Sequence, residues 1–212
     1  MKQRIIHAIL LTALVSVAFT PGAQAADKIT TLHWDIGVPL GDMENYIDNV
    51  SYRGFGFDFR TFRDRSKSYT VGFSFAWQVF DKKTDELIHL DQDQLSGDIK
   101  GTQRRYVNAL PFMIAFDLYT SQDPRKTRFF IGLGAGAYYI IQRFEIGVAS
   151  FEENNWHFGL MPEAGLQFPM GDVELLVQAR YNYAFASGST ITGESIDWQY
   201  ATVNFGFAWS RW

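Results

Sequence analysis

Seven charged residues interrupt runs that are otherwise apolar on every second position: Asp35, Asp58, Arg60, Asp117, Glu163, Glu174 and Arg180. Carboxylates gathered in one place can act as general acid and base, or line an ion path. Carboxylates mixed with arginines can equally form a structural network, because charges taken out of bulk water must be paired and hydrogen-bonded. The mixed signs favour the network. His33, His89 and His157 could supply a base or a metal ligand, but none has a serine or a second histidine at the spacing of a hydrolase dyad or a zinc motif. Gly132-Leu-Gly134-Ala-Gly136-Ala137 carries the letters of a dinucleotide fingerprint. That motif works only where a strand gives way to a helix, and here the alternation runs on through Tyr138. The three glycines are read instead as room for bulky neighbours. Asp91 and Asp93 open like a calcium loop, but the rest of that pattern is missing. No catalytic, cofactor-binding or metal-ligating residue is assigned.

The elements that must position these charges are strands. From Trp156 to Phe168, and again from Val173 to Tyr183, apolar and polar residues alternate on either side of a tight Pro169-Met-Gly-Asp172 turn. Alternation at a period of two on both sides of a short turn defines a β-hairpin. The same pattern recurs around Leu32–Val38, Phe55–Phe59, Val71–Val79, Leu110–Leu118, Phe129–Ile141 and Ala201–Trp209. That makes eight strands, an even number. Connections alternate between long (Gly41–Arg53, Asp81–Gln103, Arg143–Asn155, Phe185–Ile196) and short (Arg63–Lys67, the Asp123-Pro124 turn, the turn at Gly171). Pro111 and Pro162 fall inside strands and predict local bulges, since proline cannot donate to the ladder.

Residues 1–25 read as a signal peptide. Lys2 and Arg4 form a basic start, and Ile5–Phe19 is an apolar run too short for the about 20 residues of a membrane-spanning helix. Ala23-Gln24-Ala25 is an A-x-A cleavage site. Removal would shift the formal charge from −4 to −6, because the segment carries Lys2 and Arg4 and no acid. An acidic chain of this kind gives no footing to nucleic acid. With no cysteine, no disulfide framework and no lipoprotein signal are available.

The remaining question is which face of the strands looks inward. Aromatic residues make up 17% of the chain, far more than an eight-stranded interior could hold on top of its other side chains. The opposite face is rich in Gly, Ala, Ser and Thr and its strands lack lysine, unlike a solvated outer surface. The rings therefore face lipid and the small face lines a lumen, the pattern of a transmembrane β-barrel. Trp77, Tyr106, Tyr139, Trp156 and Tyr183 would form the aromatic girdle at the loop end. Trp34, Phe129, Phe168 and Trp209 would form the one at the turn end.

This plan resembles the outer-membrane β-barrel domain family, the small eight-stranded barrels of the OmpX, OmpW and OmpA-barrel type. The likeness is carried by HWDIGVPLGD at residues 33–42, SYRGFGFDFR at 51–60 and SYTVGFSFAWQVF at 68–80. It implies an all-β, eight-stranded antiparallel up-and-down barrel over residues 26–212 in the cell outer membrane, with both termini periplasmic. It also implies insertion by the barrel-assembly machinery and contact with outer-membrane lipid and lipopolysaccharide. A monomer with a structural or surface-interaction role is expected, presenting acidic extracellular loops and performing no enzymatic reaction. A narrow transport path for a small or apolar molecule is the alternative, and a lipid-modifying barrel enzyme ranks third.

Overall fold

A computed structural model of the protein describes residues 28–63, 68–84, 87–92, 95–100, 102–121, 125–147, 149–186 and 195–211, without the side chains of 87–100 and 211. The expected signal segment, with Ala23 and Ala25, lies outside the described residues.

The strands are β1 (Lys28–Leu40), β2 (Gly54–Phe62), β3 (Tyr69–Thr84), β4 (Leu87–Gln92), β5 (Leu95–Lys100), β6 (Gln103–Tyr119), β7 (Arg128–Ile146), β8 (Ala149–Met170), β9 (Val173–Ala184) and β10 (Trp198–Arg211). Eight of them close into an antiparallel barrel in the order β1-β10-β9-β8-β7-β6-β3-β2, while β4 and β5 pair with each other as a separate hairpin. Closure gives every strand two partners, which is what a sheet needs in hydrocarbon, where no water can satisfy an open edge.

Period-two patterning set the faces, and the burial of alternate residues follows it in each barrel strand. Leu32, Phe57, Phe73, Phe116, Ile131, Phe158, Phe205 and Phe207 stand exposed on the outside. Thr31, His33, Asp58, Met113, Phe130, Glu163, Gln178 and Asn204 are buried within.

Four expectations need correction. No bulge forms at either proline: the register is unbroken along Pro111↔Tyr138 and Leu133↔Pro162. What each proline removes is pairing on its other side. The β3–β6 ladder passes from Phe75↔Phe112 to Gln78↔Ala109, and the β8–β9 ladder from Leu160↔Tyr183 to Glu163↔Arg180. A missing N–H interrupts one ladder and leaves the other intact. Second, the supposed loop Arg143–Asn155 is mostly strand. β7 and β8 stay paired up to Ile146↔Ala149, with Gly147 at φ 55° entering the turn, a left-handed conformation that glycine adopts at no steric cost. Third, Asp81–Gln103 is not one long loop, since β3 and β6 pair as far as Thr84↔Gln103 and the β4–β5 hairpin lies between them. Fourth, Trp34 belongs to the loop end rather than the turn end. It pairs across to Phe55, and its indole donates to the Tyr52 carbonyl in the β1–β2 connection (2.8 Å).

That connection also holds a short helix, α1 (Asp42–Tyr46), which turns Met43, Tyr46 and Ile47 into the mouth of the barrel. The Asn49 amide donates to the Asp81 carbonyl (3.0 Å) and Lys82 donates to Asp48 (3.0 Å), fastening the same connection to β3. This hydrogen bond from Lys82 holds the Asp48 carboxyl below the usual carboxylate range.

Phe75, between Phe57 and Phe112 on the outer face, tests the assignment of faces. Phe75→Arg should cost roughly 2–4 kcal/mol if it faces the middle of the bilayer, and Phe75→Leu far less, read by reversible unfolding in lipid. Equal costs would contradict an outer face in contact with lipid.

Candidate functional site

The lumen is filled in layers. At the loop end, α1 sits over Phe80, Val107, Tyr138, Ile140, Trp198 and Tyr200, all buried. Tyr46 meets Trp198 edge-on with ring centroids 6.0 Å apart, and Phe80 meets Tyr200 at 5.3 Å. At the turn end, Ile29, Phe62, Tyr119, Phe130, Leu176 and Ala208 form a second apolar layer. Between the two lies a charged layer.

Six of the seven residues singled out from the sequence meet there. Arg60, on β2, donates through Nε to Asp117 Oδ2 (2.6 Å) and through Nη2 to Glu163 Oε1 (3.0 Å) and Ser74 Oγ (2.9 Å). Its Nη1 donates to the Phe73 carbonyl (2.7 Å). Arg180, on β9, donates through Nε to its cross-strand neighbour Glu163 (2.8 Å) and through Nη2 to Asp58 Oδ1 (2.7 Å). Asp35 accepts from Asn204 Nδ2 (2.6 Å) and is hydrogen-bonded to His33 Nδ1. Every one of these side chains is almost completely buried.

Position around the ring gives the pairs their mechanical meaning. β2 and β8 are four strands apart in either direction, so the Arg60–Glu163 pair spans the barrel from wall to wall. Arg180 reaches from β9 to Asp58 on β2, three strands away around the ring. Strands curl tightly enough for this only where the facing residues are small. A Cβ at Gly56 would lie 2.1 Å from the His33 ring, and one at Gly132 would lie 2.1 Å from Asp117 Oδ1.

Glu174 stands apart from the cluster. It pairs with Arg128 near the turn end and accepts from Ser210 Oγ (2.5 Å), with the Arg128 guanidinium 5.3 Å from the Tyr119 ring centre. Of the histidines, His33 lies inside the network, while His157 is near the loop end with Nδ1 3.0 Å from the Phe185 carbonyl. The His89 side chain lies outside the described residues. The glycines at 132, 134 and 136 sit within β7, which runs on as strand to Ile146.

Sequence reasoning passed over several network members. Arg128 shares the inward parity of Phe130 and Gly132 but falls one residue before the apolar run. Ser74 and Thr31 donate to Asp58 (2.5 and 2.7 Å), and Gln178 donates to Glu163 (2.5 Å). Parity could have found all of them, but uncharged residues on an inward face carried no signal of their own.

Two internal cavities are described, each of about 10 Å³, room for a single water molecule. One is lined by Asp35, Arg180, Asn204 and Tyr200 on the loop side of the charged layer, the other by Asp58, Arg60, Asp117 and Phe130 on its turn side.

By fold, the chain is a small, closed, antiparallel eight-stranded β-barrel. Among solved structures it resembles the outer-membrane protease OmpT of Escherichia coli, with a TM-score of 0.50 and 6% identity over 91% of this chain and 99% of that one. The attachment invasion locus protein Ail of Yersinia pestis gives a TM-score of 0.44 and 16% identity, covering 88% of this chain and 97% of that one. Neisserial surface protein A gives 0.47 and 10%, covering 89% and 99%. At such identities the likeness is one of fold. No family model matches the chain, and no curated protein matches it in sequence.

Arg180 is the residue whose loss exposes the network's energetics. Arg180→Ala leaves Glu163 and Asp58 short of their shared cation, and should destabilise the barrel by about 3–5 kcal/mol in urea unfolding, the cost of an uncompensated buried charge. An unchanged unfolding midpoint would mean that water reaches the cluster.

Proposed function

We propose that the protein is a sealed barrel whose lumen braces the wall and whose biological contacts are made at its loop end. One observation carries this reading: the interior is occupied from α1 at the loop end to Arg128–Glu174 at the turn end, with described cavities no larger than a water molecule. A side-chain plug of this depth favours a structural and surface-interaction role over a transport path. The carboxylates of the network are each engaged by arginine, imidazole, amide or hydroxyl groups and are withdrawn from solvent. That is the environment of a brace rather than of an acid–base catalyst, and it supports a non-enzymatic role.

In this reading residues 1–25 are removed after Ala25, the barrel-assembly machinery inserts the mature chain, and both termini face the periplasm. The barrel acts as a monomer and presents acidic groups outward, among them Asp42, Glu44, Asp48, Glu152 and Glu153. Lipid would be met by the outer rings and, just beyond Trp77 and Tyr139, by basic residues. Lys83 stands directly across from Arg104, which faces Glu145 on its other side, and Arg143 pairs with that same Glu145 (2.9 Å).

Two measurements test this proposal. Purified barrel in planar bilayers should pass no steady ion current; a steady current would overturn the sealed lumen and favour a transport path. Protease added to intact cells should cut between β3 and β6, at residues 85–102, and spare residues 63–68 between β2 and β3. The reverse pattern would invert the orientation.

A further inference from the structure

The central layer holds more acid than base. Asp35, Asp58, Asp117 and Glu163 face the guanidinium groups of Arg60 and Arg180 and the imidazole of His33. Even with His33 protonated, carboxylates outnumber cations by one, and with His33 neutral they do so by two. An uncompensated charge in so buried a place is strongly unfavourable, and the usual resolution is that a group takes up a proton.

Hydrogen bonding identifies the group. Asp58 receives Thr31, Ser74 and Arg180, with His33 Nε2 at 3.4 Å. Glu163 receives Arg60, Arg180 and Gln178, so both its oxygens are served. Asp35 has His33 and Asn204. Asp117 is served at one oxygen only: Oδ2 takes Arg60 and Thr70 (3.1 Å), while Oδ1 receives no hydrogen bond from any described donor. Asp117 Oδ1 lies over Gly132, beyond which stands Glu163, whose Oε1 shares the Arg60 guanidinium with Asp117 Oδ2.

Strand register explains how two acids come so close. Asp117 on β6 pairs with Gly132 on β7, and Gly132 pairs with Glu163 on β8. The glycine between them has no side chain to hold them apart, and Arg60 bridges the two from the far wall. The other charged or titratable groups around the pair are Asp58 of β2, His33 and Asp35 of β1, and Arg180 of β9. Tyr119 of β6 and Arg128 of β7 lie toward the turn end.

We propose that Asp117 and Glu163 share one buried proton, carried on Asp117 Oδ1 and donated to Glu163, so that the centre of the lumen is a proton-binding site filled on folding. No electron moves and no other bond is made. The proton comes from solvent during folding and returns to it on unfolding, where both acids ionise at neutral pH.

Infrared difference spectroscopy of the barrel in lipid at pH 7 tests the assignment. The wild type should show the carbonyl stretch of a protonated carboxyl, absent in Asp117→Asn and retained in Glu174→Gln, whose acid is already paired with Arg128. Absence of the band in the wild type, or its survival in Asp117→Asn, overturns the proposal. Because an amide reproduces the neutral acid, failure of Asp117→Asn to fold overturns it too. The second readout is linkage: folding that binds one extra proton weakens up to tenfold per pH unit as pH rises. Relative to Asp117→Asn, the folding constant of the wild type should therefore fall with rising pH between about pH 4.5 and 7. Equal slopes overturn the proposal. An unfolding midpoint that changes between sodium, potassium and choline at one ionic strength would assign the missing positive charge to a metal cation and also overturn it.

Discussion

Ion pairs that cross the lumen are the interaction on which the rest of this structure depends. A ring of eight strands is just wide enough for side chains to fill, and a charge placed inside it finds its partners on adjoining strands and across the lumen. Arg60 and Arg180 meet that condition by reaching from β2 and β9 to acids on β6, β8 and β2. Each guanidinium offers several fixed donors, so one residue can hold several strands at once, which a lysine ammonium could not do with the same geometry. Buried pairs of this sort add little net stability over an apolar filling. What they add here is register. A slip of one residue in any of these strands would turn that strand's charges toward the outer face.

The apolar layers and the small residues serve the same arrangement. Rings at Tyr138 and Phe130 occupy the lumen above and below the charges because glycines face them from the neighbouring strand. A Cβ at Gly159 would lie 2.5 Å from the Tyr138 ring, and one at Gly165 would lie 2.6 Å from Phe130. With α1 over the mouth and Arg128–Glu174 at the turn end, the central charges are almost completely buried. Exclusion of water strengthens each pair and makes any unpaired charge costly.

The eight-stranded barrel and its inward and outward faces were legible in the sequence because a period of two is a direct record of which side is buried. Ends of elements were less so. β7 and β8 run beyond Tyr139 and Trp156 through Arg143, Glu145, Glu152 and Glu153, where both faces meet water and alternation between apolar and polar residues disappears. The short helix α1 could not be seen, since five residues carry no helical period. Prolines 111 and 162 act in the opposite direction: a lost N–H predicts a bulge, but the strand keeps its register through its other neighbour. At the central site, parity placed Asp58, Arg60, Asp117, Glu163 and Arg180 on one inward face. It could not say which acid met which base, because contacts across the barrel join residues far apart in sequence whose strands are not neighbours.

The most direct measure of the cross-lumen brace is a double-mutant cycle between Arg60→Met and Glu163→Gln, read by reversible unfolding in lipid vesicles. The two residues lie on opposite walls and meet at 3.0 Å. A closed, dry lumen requires their effects to be strongly coupled, by about 1.5 kcal/mol or more, as for close charge pairs withdrawn from water. Effects that add to within about 0.5 kcal/mol, as for independent sites, would show that the two walls are not joined through these charges.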